Sequence, residues 1–214
     1  MNKLEYIFID LDGTILEGKF KHYNCYKDII NQDGGDPLDI DIYWDMKRHK
    51  ITRDIQLNKS NYRGSYNNFL SKWLENIENK QYLSYDILKP DVIDTLVKWK
   101  KHTDKLILIT MRNNKENLYW QLDKLNIKSL FDDIIICRCV DNTKKYDFVK
   151  DYEFNKAIVI GDTEHDIQLA IECKVKCIAI TNGLRDKEFL DSDFIAEEIN
   201  EIDLAEVINK IYLK

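Results

Sequence analysis

Asp10 and Asp12 stand two residues apart in Phe8-Ile9-Asp10-Leu11-Asp12-Gly13-Thr14-Ile15, at the end of an apolar run. A period of two puts both carboxylates on one face of an extended chain, where like charges repel unless a cation or a reacting group shares the site. A second pair, Asp162 and Asp166, follows the apolar run 157–160 within Gly161-Asp162-Thr163-Glu164-His165-Asp166. Thr110 closes a third apolar run, 106–109, and is followed by Met111, Arg112 and Asn113. Four acids in one pocket require a divalent cation.

The elements that must position these residues follow from the hydrophobic pattern. Short β-branched runs at 6–9, 106–109, 134–137, 157–160 and 177–180 read as strands that are apolar throughout. Amphipathic stretches lie between the later runs, at 117–125 (Leu118, Leu122, Leu125) and 166–173 (Ile167, Ala170, Ile171). Strands of this kind separated by single helices predict an α/β fold, a parallel sheet covered on both faces. Ligands of such sheets bind beyond the carboxyl ends of the strands, so Asp10, Asp12, Thr110, Asp162 and Asp166 can converge from three of them.

The rhythm breaks once. Roughly 70 residues without a β-rich run follow the first strand, more than one crossover needs. Helical patterns cover 23–30, 42–49 and 66–77, the last with Phe69, Leu70, Trp73, Leu74 and Ile77 on one face, and Asp33-Gly34-Gly35-Asp36-Pro37 reads as a loop. Pro90 is expected to open the helix that returns to the core. The segment 18–87 is therefore expected to form a small α-helical cap domain over the sheet, with 1–17 and 88–214 as the core.

The 214 residues, 44% hydrophobic and 33% charged, suffice for a core with an accessory domain. A net charge of −6 without a basic tract argues against a nucleic-acid partner. Met1-Asn2-Lys3-Leu4-Glu5 begins no leader pattern and no apolar window has the length of a membrane span, so a cytoplasmic protein without a membrane partner is expected. Five cysteines at irregular spacings, including the pairs Cys137/Cys139 and Cys173/Cys177, do not form CxxC pairs and read as reduced, buried thiols.

Asp-x-Asp-Gly-Thr at 10–14, a strand ending in Thr110, a lysine at 144 or 145 and Gly-Asp-x-x-x-Asp at 161–166, in this order, resemble the haloacid dehalogenase (HAD) superfamily. The resemblance implies a HAD-like Rossmannoid core with a helical cap inserted after the first motif (C1 type). It also implies phosphoryl transfer: Asp10 as the nucleophile that forms an aspartyl-phosphate, and Asp12 as general acid and then base. Mg²⁺ would be held by Asp10, the backbone carbonyl of Asp12 and Asp162, with Asp166 binding it through water or fixing a ligand or the lysine. Thr110 and the lysine would hold phosphoryl oxygens, with Met111 and Arg112 beside the substrate. Lys145, followed by apolar Phe148 and Val149, fits the lysine position better than Lys144.

Smaller expectations accompany these. Gly13 makes a tight turn and Thr14 caps or contacts the flap that follows. Asp162 also caps the next helix, in whose first turn His165 is exposed. Arg112 and Asn113 form either a solvated turn or a substrate contact at the rim. Lys47, Arg48, Arg53, Arg63, Tyr43, Trp44 and Tyr62 of the cap can line a pocket for a polar substrate, although Trp44 and Trp73 fit packing roles. Glu17-Gly18-Lys19 and Leu88-Lys89-Pro90 could act as hinges for cap motion.

The function expected is a Mg²⁺-dependent phosphatase of a small phosphorylated metabolite, acting as a monomer or dimer. A phosphomutase of the β-phosphoglucomutase kind would use the same residues, and a non-catalytic binding protein could retain the fold. Asp12 argues against the dehalogenase branch, which does not use an Asp there.

Overall fold

The computed structural model describes residues 3–138 and 143–212. Its centre is β1 (Leu4–Ile9), in which Leu4, Ile7, Phe8 and Ile9 are inaccessible to solvent. A strand apolar on both faces must be covered on both, each fully buried aliphatic or aromatic side chain contributing about 1.5–3 kcal/mol. Two short strands, β2 (Leu16–Glu17) and β3 (Ile87–Leu88), pair antiparallel, so the two connections of the 18–86 segment run side by side. Between them lie α1 (Lys19–Gln32), α2 (Ile40–Arg48), α3 (Arg53–Lys59), α4 (Tyr66–Asn76) and α5 (Lys80–Leu83).

The chain continues through α6 (Val92–Trp99), β4 (Thr103–Met111), α7 (Lys115–Lys124), β5 (Asp133–Cys137), β6 (Ala157–Gly161), α8 (Glu164–Cys173), β7 (Lys176–Ile180), β8 (Phe194–Ala196) and α9 (Leu204–Tyr212). The sheet is parallel in the order β5-β4-β1-β6-β7-β8. Register does the positioning: Ile9 pairs with Leu108 on one side and Ile160 on the other. Asp10, Thr110 and Asp162 therefore emerge at nearly the same level of three adjacent strands.

The α/β expectation holds, with differences of detail. β8 escapes the pattern because it is three residues long, and β4 starts three residues early with Thr103, Asp104 and Lys105, a polar beginning that hides its extent. The helix after Pro90 starts at Val92, because Asp91 takes a left-handed φ of 54°. On α4 the buried stripe is narrower than expected: Phe69 and Trp73 are buried, whereas Leu70 and Leu74 are 36% and 57% exposed on the outer side.

Two clusters of buried side chains fill the two faces of the sheet, and a third, built on Cys25, Tyr26, Ile29, Tyr43, Phe69 and Trp73, lies among α1–α5. Tyr26 stacks on Tyr43 with ring centroids 4.3 Å apart. The helical segment thus has its own core. Cys25, Cys137, Cys173 and Cys177 are buried, and burial pushes the thiols of Cys25, Cys173 and Cys177 up to about 12. Cys139, Asp141 and Asn142 lie outside the described residues. Among the described residues no helix is long and apolar enough to cross a membrane.

Candidate active site

Asp10 follows β1 directly, its N–H donating to the Ile160 carbonyl at 2.9 Å. Lys145 approaches it from a single 3-10 turn, Lys145–Phe148, anchored by buried Val149 while Phe148 is 38% exposed. The Lys145 ammonium donates to Asp10 Oδ1 (2.6 Å), Asp166 Oδ1 (2.6 Å) and the Ile109 carbonyl (3.1 Å), which engages all its protons. Lys144 instead points to Glu172 from an exposed position. Burial disfavours the Lys145 charge, but Asp10 and Asp166 outweigh it and hold the ammonium strongly protonated.

The acids are crowded. Burial raises the Asp10 carboxyl to about 7, against the opposing pull of Lys145 and with help from Asp166 and Asp12. Asp162 is raised well above the usual carboxylate range by burial and by Asp10 and Asp166. Candidate ligand oxygens of Asp10, Asp162 and Asp166 all lie within 4.8 Å of one another. An all-oxygen set of this kind fits a hard divalent cation, whose charge would relieve the crowding. Asp166 has both oxygens engaged, Oδ1 by Lys145 and Oδ2 by the Thr163 N–H (3.1 Å) and hydroxyl (2.8 Å). It fixes the lysine and the start of α8 and, with Asp10 and Asp162, completes the acidic triad.

Asp162 does not cap α8, since Thr163 is the N-cap residue. Its carboxylate accepts from the Leu184 N–H at 2.6 Å and the Thr14 hydroxyl at 3.2 Å, which is where Thr14 goes in place of a cap. Gly13 adopts φ +81°, and a Cβ there would overlap the Asp162 carboxylate, so the left-handed backbone and this side chain both demand glycine. A Cβ at Gly183 would strike the same carboxylate from the other side.

Asp12 sits apart from that triad. Arg112 grips it through two bonds, Nε to Oδ2 at 2.9 Å and Nη2 to Oδ1 at 2.7 Å, and Lys21 of α1 donates to Oδ1 at 2.5 Å. Lys21 also meets Asp86 at 2.7 Å, and Gln121 of α7 joins Asp86 at 2.7 Å. Burial would raise the Asp12 carboxyl, but Arg112 and Lys21 overwhelm it and hold the group well below its usual range. The expectation of a solvated turn at 112–113 fails for Arg112, which is 3% exposed, and holds for Asn113, which is exposed; the Asn113 and Asn114 N–H groups donate to the Glu78 carboxylate. The bidentate match between guanidinium and carboxylate explains why Arg112 turns inward.

A cavity of about 150 Å³ opens onto this constellation, lined by Asp10, Asp12, Thr110, Met111, Lys145 and Leu184 together with Thr163 and His165. The Thr110 hydroxyl is buried without a hydrogen-bond partner. His165 is exposed in the first turn of α8, as expected. The structure thus brings Asp10, Asp12, Thr110, Met111 and Lys145 to one cavity, with Asp162 and Asp166 behind it and Arg112 behind Asp12.

The family model for haloacid dehalogenase-like hydrolases matches residues 6–180. The chain belongs to this family. Pyrophosphatase PpaX of Oceanobacillus iheyensis is 23% identical over 218 residues, 92% of this chain and 94% of that protein. Among solved structures, a haloacid dehalogenase-like hydrolase from Streptococcus pneumoniae superposes with a TM-score of 0.68 at 22% identity, covering 97% of this chain and all of that one. A Haemophilus somnus structure designated a phosphoglycolate phosphatase gives 0.74 at 15% identity, covering 97% and 99%. At these identities the structural likeness concerns the fold.

As a haloacid dehalogenase-like hydrolase, the protein is an enzyme whose site forms where the sheet's central strands end. Lys21, Asp86 and Gln121 are the members of the constellation that sequence reasoning missed. They carry no motif, and Lys21 and Asp86 belong to the stretch between the first two long strands, where only a three-dimensional arrangement relates them to Asp12.

Proposed function

We propose that this hydrolase is a Mg²⁺-dependent phosphatase acting on a small phosphomonoester through an aspartyl-phosphate on Asp10. The observation that carries the reading is the setting of Asp10: a buried carboxylate held by Lys145, beside the unpartnered Thr110 hydroxyl. An orphaned buried hydroxyl is costly unless a ligand completes it, and a phosphoryl oxygen is a fitting acceptor. The segment 18–87 acts as the cap and 1–17 with 88–214 as the core.

Asp10 and Asp162, with the Asp12 carbonyl, would hold Mg²⁺, which when bound offsets phosphate charge and lets the dianion approach a carboxylate. In the first step an Asp10 oxygen bonds to phosphorus as the bond to the leaving oxygen breaks, and Asp12 gives that oxygen a proton. In the second, water attacks the phosphoryl group, Asp12 takes the proton, and the Asp10–phosphorus linkage breaks. Thr110 and Lys145 orient the phosphoryl oxygens throughout. Arg112 and Lys21 keep Asp12 ionised, the form that activates water, so the proton it gives in the first step is one it first takes from the incoming phosphate monoanion.

Phosphate release from a panel of small phosphomonoesters, with and without Mg²⁺ and with Asp10→Asn in parallel, tests the reading. Metal-dependent release abolished by the substitution is expected. An isomerised sugar phosphate formed without free phosphate would contradict hydrolysis and leave a mutase.

A further inference from the structure

The two cations that hold Asp12 are themselves held. Lys21 Nζ donates to Asp12 Oδ1 at 2.5 Å and to Asp86 Oδ2 at 2.7 Å. Gln121 Nε2 donates to the same Asp86 oxygen at 2.7 Å, and Arg112 Nη2 donates both to Gln121 Oε1 at 3.4 Å and to Asp12 Oδ1 at 2.7 Å. Five side chains thus close a ring. Asp12 comes from the turn after β1, Lys21 from α1, Asp86 from the residue before β3, Arg112 from the residue after β4 and Gln121 from α7, so the helical segment and the sheet domain both contribute.

Stability alone does not call for such a ring. Lys21, Asp86, Arg112 and Gln121 are all buried, and taking a charge out of water costs several kcal/mol per ion, whereas apolar residues of the same volume often serve a core as well or better. Asp86 Oδ1 is even buried without a partner. The bonds nevertheless have one consistent sense. Gln121 presents Oε1 to the guanidinium and Nε2 to Asp86 and to the Leu83 carbonyl (3.3 Å), and a reversed amide would set donor against donor and acceptor against acceptor.

The result of the ring is seen at Asp12, which alone of the five lines the catalytic cavity. Its Oδ1 accepts from Lys21 and from Arg112 Nη2, whereas Oδ2 accepts from Arg112 Nε only, at 2.9 Å. An ionised carboxylate offers about two acceptor places on each oxygen, so Oδ1 is filled and Oδ2 keeps one place open.

We infer that Asp86 and Gln121 are positioning residues for proton transfer: through Lys21 and Arg112 they hold the Asp12 carboxylate so that Oδ2 is the oxygen that exchanges the proton. The inference rests on the phosphatase reading and assigns its proton transfers to one atom. In the first step the proton that Oδ2 has taken from the phosphate monoanion passes to the leaving oxygen as that oxygen's bond to phosphorus breaks. In the second, a water proton passes to Oδ2 as the water oxygen bonds to phosphorus and the Asp10 linkage breaks. Neither Asp86 nor Gln121 touches the substrate.

The test is the dependence of rate on the leaving group. Phenyl phosphate expels a weakly acidic phenol that needs a proton as it departs, and 2,4-dinitrophenyl phosphate expels an anion that is stable without one. kcat/KM, which reports the steps up to the first bond cleavage, is measured for both esters with the wild type, Asp12→Asn, Gln121→Met and Asp86→Asn in the presence of Mg²⁺. In each ring variant it should fall by about tenfold to a hundredfold on phenyl phosphate and by less than about threefold on the dinitrophenyl ester. Asp12→Asn/Gln121→Met should be no slower on phenyl phosphate than Asp12→Asn, because a group that acts through Asp12 then has nothing left to position. Gln121→Met keeps the volume and removes no charge, so it decides the matter where Asp86→Asn does not fold, and thermal melts verify both. An equal loss on the two esters, a loss on neither, or additive losses in the double variant overturns the inference and leaves the phosphatase standing. If the wild type releases phosphate from no ester at all, the phosphatase reading falls and the inference with it.

Discussion

Charge is arranged in opposite ways at the strand ends and in the cavity beside them. Beyond β1, β4 and β6, buried acids are held by cations: Lys145 bridges Asp10 and Asp166, and Arg112 with Lys21 encloses Asp12. In the neighbouring cavity Lys47 and Arg53 instead meet aromatic faces, those of Trp73 and Phe69. The difference teaches where each part of the chemistry is encoded. The first region fixes its side chains through charge pairs at the strand ends; the second holds its cations against aromatic rings supplied by α4.

The comparison can be broken by removing one charge at a time. Asp10→Asn should lower kcat by about 10⁴-fold or more, since no other group can form the covalent intermediate, and single-turnover phosphate release would show it. Lys145→Met should cost about 10³-fold in kcat and, by leaving Asp10 and Asp166 buried without their cation, about 3–5 kcal/mol of stability measured by urea unfolding without metal. Lys144→Met, which loses only an exposed pair with Glu172, should leave both nearly unchanged.

Arg112→Lys keeps a charge but loses the two-pronged grip on Asp12, and a fall of about tenfold or more in kcat/KM is expected in steady-state assays. The smallest effect concerns His22. Its folded form stays neutral while the unfolded chain takes up a proton below about pH 6.5, so its contribution to stability is present above that pH and lost as pH falls. Between pH 7.5 and 5.5 the wild type should lose about 1 kcal/mol, or about 2–4 °C in Tm, more than His22→Phe does. Identical slopes in the two proteins would show that burial and the cations around His22 do not hold it neutral.

Much of this was legible in the sequence because the strands are short, uniformly apolar and closed by acids. Runs such as Ile7-Phe8-Ile9 and Ile158-Val159-Ile160 announce buried parallel strands, and Asp10, one residue after the first, and Asp162, two after the second, are the ones that reach the site. The lysine could be placed because Val149 anchors its turn. What escaped was anything decided by side-chain partnership across long sequence separations. Arg112 looks like a turn residue until Asp12, 100 residues away, is seen to claim it. Lys21 looks like an ordinary surface cation in a polar helix, yet it is buried between Asp12 and Asp86. Thr14 and Asp162 likewise exchange a bond over 148 residues.

The most direct test of the central claim is mass spectrometry of the wild-type protein mixed with Mg²⁺ and a turned-over phosphomonoester, quenched in acid and digested. The account predicts a single phosphoryl group on the peptide that carries Asp10, absent in Asp10→Asn and absent without metal. A phosphoryl group on another residue, or rapid turnover with no phosphopeptide at any quench time, would contradict it.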